Sequence, residues 1–259
     1  MLNIKDIKSY YPNNLQAYER FILREYLQYK ILEILFNSEF SNKLSFLGGT
    51  CLRIVHNNTR FSENLDFDNF NLTKDDFASI TDTIHKELGQ LGYLVEMRNV
   101  HKGAYHCYIR FPELLYNEGL TNHREEKILI QLDTEPHNFA YKPDQPILNK
   151  FDVFTQINAT PKNLLLSQKF YAVLNRKRNK GRDFFDIVFL LGQNITPNYS
   201  YLHYKTGIEN PEELKAQIIE KCNTINMEDM AKDVEPFLFH IKDTKKITLF
   251  TSYLEQIEL

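Results

Sequence analysis

Cysteine is scarce in this 259-residue chain: Cys51, Cys107 and Cys222 are the whole complement, no two of them form a Cys-x-x-Cys pair, and the total is odd. That excludes a disulfide framework and a thiolate zinc site, and a reducing compartment is the simplest reading. The eight histidines form no His-Glu-x-x-His arrangement, so zinc hydrolysis is unsupported. No apolar run reaches eighteen residues, and Met1-Leu2-Asn3-Ile4-Lys5-Asp6-Ile7-Lys8 lacks a signal-peptide core. The expectation is a cytoplasmic protein with no membrane partner. Charge of one sign is not in excess either, with 31 Lys and Arg against 34 Asp and Glu for a formal net charge of -3. A polyanion site must therefore be a local patch, and Arg176, Lys177, Arg178, Lys180 and Arg182 supply one.

With 42% hydrophobic residues the chain can bury ample core, and its length accommodates two domains. Helical apolar spacing marks residues 14–36 as a long amphipathic opening helix. Strand signals follow at 44–47 and 65–67, then a helix over 75–91 ending at Gly92. A strand pair is expected at 93–100 and 105–111 around Lys102-Gly103, with strands at 127–133 and 151–157 completing a small mixed sheet. After Pro161 the pattern is helical, punctuated by Pro197, Pro211 and Pro236. The organisation expected is a mixed α/β (α+β) domain over residues 1–158 and a helical domain over 159–259.

The chemistry concentrates at Leu65-Asp66-Phe67-Asp68, shortly after Leu47-Gly48-Gly49-Thr50. On a strand, side chains alternate, so Asp66 and Asp68 share one face while Leu65 and Phe67 pack on the other. Mg²⁺ takes oxygen ligands and keeps waters and substrate phosphates in its shell, so one or two carboxylates per ion suffice. Two such ions could clamp the attacking and leaving oxygens of an in-line displacement. Phe46 to Thr50 reads as an apolar strand entering a Gly-Gly turn where backbone can approach a phosphate. Asp133 ends the alternating run Ile128-Leu129-Ile130-Gln131-Leu132-Asp133, so a carboxylate emerges at that strand end, with Glu135 pointing the same way.

A second constellation lies later. Lys162, Lys169 and Arg176 recur at heptad spacing on one expected helix, beside an apolar stripe of Leu166, Phe170, Val173 and Leu174. In Gly181-Arg182-Asp183-Phe184-Phe185-Asp186 the two aspartates sit three apart and so meet on one helix face.

In order along the chain, Gly-Gly-Thr-x-Leu-Arg, Arg-Phe-Ser-x-x-Leu-Asp-Phe-Asp, Lys-x-x-Ala-x-x-x-Arg and Gly-Arg-Asp-x-x-Asp resemble the AbiEii/AbiGii toxin family of the DNA polymerase β-like nucleotidyltransferase superfamily. Asn64 departs from the acidic residue common in that family, and Thr50 replaces the serine frequent in the superfamily turn. The resemblance implies a nucleotidyltransferase fold, a small mixed sheet flanked by helices followed by a C-terminal helical bundle. It implies catalytic roles for Asp66, Asp68, Lys169 and Asp186, with metal at Asp66, Asp68 and Asp133. Nucleotide contacts would come from Gly48, Gly49, Thr50, Arg53, Ser62, Lys169, Arg176, Arg182 and Asp183. Mg²⁺ or Mn²⁺ would be the cofactor and a nucleoside triphosphate the substrate. The acceptor would be RNA, including tRNA ends, or a protein side chain, and a separately encoded antitoxin would be the partner. A metal-dependent nuclease or phosphodiesterase, or a non-catalytic nucleotide- or RNA-binding module, would use some of the same residues.

Overall fold

The computed structural model describes residues 2–259, which form two compact units. The first comprises residues 2–56, 61–138 and 142–159, and the second comprises 57–60, 139–141 and 160–259.

Five strands form the main sheet of the first unit among the described residues: β1 (Leu44–Leu47), β2 (Leu65–Asn69), β3 (Glu96–Lys102), β4 (Ala104–Phe111) and β5 (Ile128–Glu135). Their order is β1-β2-β5-β4-β3; β2 and β5 run parallel and the other neighbours antiparallel. Strict alternation shapes β5, where Ile128, Ile130, Leu132 and Thr134 are buried while Leu129, Gln131, Asp133 and Glu135 are more accessible. Register then fixes which polar groups become neighbours. Asp66 lies opposite Asp133, Asp68 opposite Glu135, and His106 of β4 opposite Asp133 from the other side.

The helices of this unit are α1 (Ile4–Lys8), α2 (Glu19–Phe36), α3 (Gly48–Ile54), α4 (Lys74–Gln90) and α5 (Leu114–Asn117). A capping box starts α4: the Thr73 hydroxyl accepts from the Asp76 N–H and the Asp76 carboxylate accepts from the Thr73 N–H. Its buried Phe77, Ile80, Ile84 and Leu88 form one stripe, packed on β3 and β4. The opening helix is shorter than its apolar spacing indicates. Residues 13–15 form a separate 3₁₀ turn and Tyr18 is non-helical, so α2 starts at Glu19. Apolar residues stay in phase across that break, which is why spacing alone runs through it.

The strand expected at 151–157 does not complete the main sheet. It becomes β7 (Val153–Gln156), paired in a separate antiparallel ladder with β6 (Ile147–Lys150). The outer edge of β1 is met instead by residues 158–159, through a Phe46 N–H bond to the Asn158 carbonyl and a bridge to Ala159. Phe151 turns the β6–β7 hairpin in the left-handed region at φ 60. Beside it, the Lys150 ammonium sits 4.0 Å from the Tyr11 ring centroid and 2.8 Å from Glu25 of α2.

The second unit is helical: α6 (Lys162–Asn175), α7 (Gly181–Leu191), α8 (Tyr199–Thr206), α9 (Pro211–Cys222), α10 (Met227–Val234), α11 (Lys245–Thr248) and α12 (Phe250–Gln256). Asn side chains cap α8, α9 and α10, and Pro211 occupies the first turn of α9, where its missing N–H costs nothing. Packed against α6 and α10, α7 forms the centre of the unit. Gly181 makes the α7–α10 approach possible: a Cβ there would overlap the Met230 carbonyl, and its N–H bonds Asp233 at 3.0 Å. Among the described residues, no helix is long and apolar enough to cross a membrane.

Candidate active site

In the first unit β2 puts Asp66 and Asp68 on one face, as alternation requires, with Leu65 and Phe67 buried on the other. Gly48 follows directly on β1 and adopts φ +77, a conformation that favours glycine. A Cβ at Gly48 would fall 2.5 Å from Asp66 Oδ2, so the glycine both makes the turn and leaves room for that carboxylate. Asp66 is half-buried. Asp68 is 1% exposed and accepts the His137 N–H at 2.9 Å, which fixes one of its oxygens.

Asp133 holds the cross-strand place next to Asp66, but its carboxylate is engaged. His106 Nδ1 lies 2.6 Å from Asp133 Oδ1, and the Gln131 amide reaches the two carboxylate oxygens at 2.9 and 3.0 Å. Glu135 is exposed at the strand end. Among the described residues no group of three or more His, Cys, Asp or Glu is gathered closely enough to hold a metal ion by itself. The pair Asp66 and Asp68 nevertheless fits a hard cation: its donors are oxygens, they share a face, and the glycine turn keeps the space beside Asp66 clear of side chain. Such an ion completes its shell with water and substrate phosphate.

Other residues expected around the nucleotide belong to the scaffold of this face. Thr50 is fully buried, and its hydroxyl donates to the Asn64 carbonyl, pinning the approach to β2. The Ser62 and Glu63 carbonyls accept from the Gln28 amide of α2 at 3.1 and 2.9 Å, while Arg24 pairs with Glu63 at 2.8 Å. Arg53 of α3 forks onto Glu25 of α2 at 2.7 and 3.2 Å. Burial pushes the Glu25 carboxyl up, but Arg53 and Lys150 outweigh it and hold the group below the usual glutamate range. Glu25 also accepts the Tyr11 hydroxyl at 2.8 Å. Thus α2, whose sequence suggested only an amphipathic helix, clamps both α3 and the segment entering β2. The signal was there in Glu25 and Gln28, polar residues buried among the apolar ones of the helix.

In the second unit, Asp183 and Asp186 do share a face of α7, and they meet on Lys169 of α6. Its ammonium lies 3.0 Å from Asp183 Oδ1 and 2.8 Å from Asp186 Oδ2. Asp186, fully buried, also receives Arg60 through two nitrogens at 2.8 and 2.6 Å and the Asn58 amide at 2.7 Å. Burial raises its pKa and the Arg60 and Lys169 charges lower it further than burial raises it, so the carboxyl stays below the ordinary aspartate value. Arg176 does not continue the Lys162–Lys169 stripe: α6 ends at Asn175, and Arg176 is its extended C-cap. Its guanidinium still comes within 3.1 Å of Asp183 Oδ2. Lys162 pairs with Gln193 at 2.7 Å, and Arg182 is partly exposed in the first turn of α7. Asn58 was not singled out by sequence, and Arg60, the first residue of the Arg-Phe-Ser motif, was given no role, because their partner is more than 120 residues away.

Residues 30–249 match the family described as nucleotidyl transferase AbiEii toxin, type IV TA system. No curated protein matches the chain. Among solved structures it is similar to JHP933 from Helicobacter pylori, at 15% identity and a TM-score of 0.53, with 92% of this chain and 94% of that one covered. It is likewise similar to a Helicobacter pylori protein described as a candidate nucleotidyltransferase, at 16% identity and a TM-score of 0.53, over 93% of this chain and 99% of that one. Likeness at this level of identity speaks to the fold, a mixed sheet flanked by helices as in nucleotidyltransferases.

Proposed function

Since the chain belongs to the AbiEii family of nucleotidyl transferase toxins of type IV toxin–antitoxin systems, we propose that it transfers a nucleotidyl group from a nucleoside triphosphate to an RNA acceptor. In this reading Asp66 and Asp68 hold Mg²⁺ or Mn²⁺, and a separately encoded antitoxin opposes the activity. The observation that carries it is the pairing of two aspartates on one strand face with a glycine turn that a side chain would block.

The cation, when bound, supplies charge neutralisation to the triphosphate. The rest is done by the chain. Gly48 and Gly49 let backbone approach phosphate, and Asp66 offers a reachable carboxylate. Asp68 is kept in its rotamer by the His137 N–H. Thr50, Gln28 and Glu25 hold α3 and the entry to β2 so that these groups need not reorganise on binding. In the second unit the same reading makes Lys169 and Arg176 phosphate-contacting groups, with Asp183 and Asp186 setting their positions and Arg182 adding local positive charge. Positioning and electrostatics are the main levers of phosphoryl-type transfer, so few groups need to act as acids or bases.

The test is incubation of the purified protein with Mg²⁺, each labelled nucleoside triphosphate and RNA. Labelled RNA is expected from the native chain, with transfer at least about 10²-fold lower in Asp66→Ala or Asp68→Ala. Shortened RNA without label would instead mean a nuclease, and full transfer by either variant would remove the metal assignment.

A further inference from the structure

We propose that His106 is a catalytic residue, the proton acceptor for the attacking hydroxyl, and that Asp133 is its positioning residue rather than a metal ligand. This rests on the transfer reaction proposed above. Three strands carry the argument: Asp66 on β2, Asp133 on β5 and His106 on β4 stand directly opposite one another in register, hence on one face of the sheet. Two strand spacings, about 10 Å, separate the backbones of β2 and β4. A hydroxyl group bound between Asp66 and His106 would lie within reach of both side chains.

The direction of the hydrogen bond follows from chemistry. Asp133 already accepts the Gln131 amide on both carboxylate oxygens, so it acts as an acceptor. With Asp133 as acceptor, His106 Nδ1 is the donor in the 2.6 Å contact. In the neutral ring this leaves the lone pair on Nε2, which has no hydrogen-bond partner among the described residues. A carboxylate that fixes a histidine in this tautomer and orientation is the arrangement general-base catalysis needs. In the step, a lone pair of the acceptor oxygen forms the bond to the α-phosphorus while the hydroxyl proton passes to His106 Nε2. The bond from that phosphorus to the bridging oxygen breaks, and its electron pair leaves with pyrophosphate.

The experiment compares the full chain with His106→Ala, His106→Gln and Asp133→Asn, reading transfer to RNA at saturating Mn²⁺ and, separately, Mn²⁺ affinity without nucleotide. His106→Ala should lose about 10²- to 10⁴-fold in rate, the range for a general base, at unchanged Mn²⁺ affinity. Added imidazole should restore part of that loss, which a merely structural side chain would not allow. Asp133→Asn should slow transfer and leave Mn²⁺ affinity within about twofold. Full activity of either folded His106 variant, or absence of imidazole rescue, would overturn the role of His106; His106→Gln, closer in size, covers the case in which the alanine variant does not fold. A tenfold weaker Mn²⁺ affinity in Asp133→Asn would make Asp133 a ligand and overturn its part. If the native chain labels nothing, the reading of the reaction fails instead, while the Mn²⁺ measurement still decides the standing of Asp133.

Discussion

Asp66 and Asp186 are the same residue type in opposite surroundings. Around Asp186 the protein supplies its own cations, Arg60 and Lys169, together with the Asn58 amide, all in a site without solvent. Beside Asp66 stand the Gly48 backbone and, across the ladder, Asp133. One carboxylate is held by cations from the fold, and the other stands across the ladder from a second acidic residue. The family resemblance implied catalytic roles for both aspartates.

The sharpest way to break the comparison is to remove each carboxylate in turn. Asp186→Ala removes the carboxylate that Arg60 and Lys169 share, leaving Lys169 with Asp183, a change that costs about 3–5 kcal/mol. Chemical denaturation should show a loss of that size. The pH dependence follows from the sign of the shift: the folded-state pKa is below the unfolded one, so stabilisation by Asp186 is present above about pH 4 and lost as pH falls through the folded value. Asp186→Asn should therefore flatten the acid limb of the stability profile, and an unchanged acid limb would show that the network contributes little.

Asp66→Ala should do the converse. Half-buried where Asp186 is fully buried, Asp66 should cost less stability when removed than Asp186 does, while transfer falls about 10²- to 10³-fold, the scale of losing one preorganised electrostatic group. A variant that unfolds without a specific loss of turnover would erase the distinction between the two aspartates.

What could be read in advance divides along the same line. Strand alternation over Ile128 to Asp133 and the placing of Asp66 with Asp68 are local properties, set by a two-residue period, and both appear as expected. The Gly-Gly turn at Gly48 is local too. Partners brought from afar are another matter: Arg60 meets Asp186 and Lys150 meets Glu25 across more than 120 residues. No periodicity encodes such pairings. Gly181 is a third case, since it belongs to a motif associated with nucleotide binding and yet its lack of a side chain is required by the Met230 backbone of α10. The break before α2 was hidden because apolar phase continues through it, and the separate β6–β7 ladder because a strand's own alternation does not say which strand it pairs with.

Gly48→Ala probes the cradle itself. A side chain at φ +77 costs roughly 1–2 kcal/mol in backbone strain, and its Cβ would press on Asp66 Oδ2. Because the pressed atom ends a movable side chain, the stability loss should stay near the strain figure while transfer drops well beyond it. Equal fractional losses of stability and turnover would mean that the glycine serves only the turn.

The smallest effect is expected at Thr73, remote from both aspartates in function though in the same unit as Asp66. Its hydroxyl caps α4, and Asp76 completes the box while bonding Lys43 at 2.6 Å. The Lys43 hydrogen bond, followed by those from Thr73, holds the Asp76 carboxyl down to about 2. Thr73→Ala removes one cap and should cost about 1 kcal/mol, with unchanged transfer per folded molecule. Since α4 packs on β3 and on β4, the strand that carries His106, a loss of turnover larger than the loss of folded protein would show that strand placement on the acidic face depends on this helix. Measuring denaturation and transfer on one preparation separates the two outcomes.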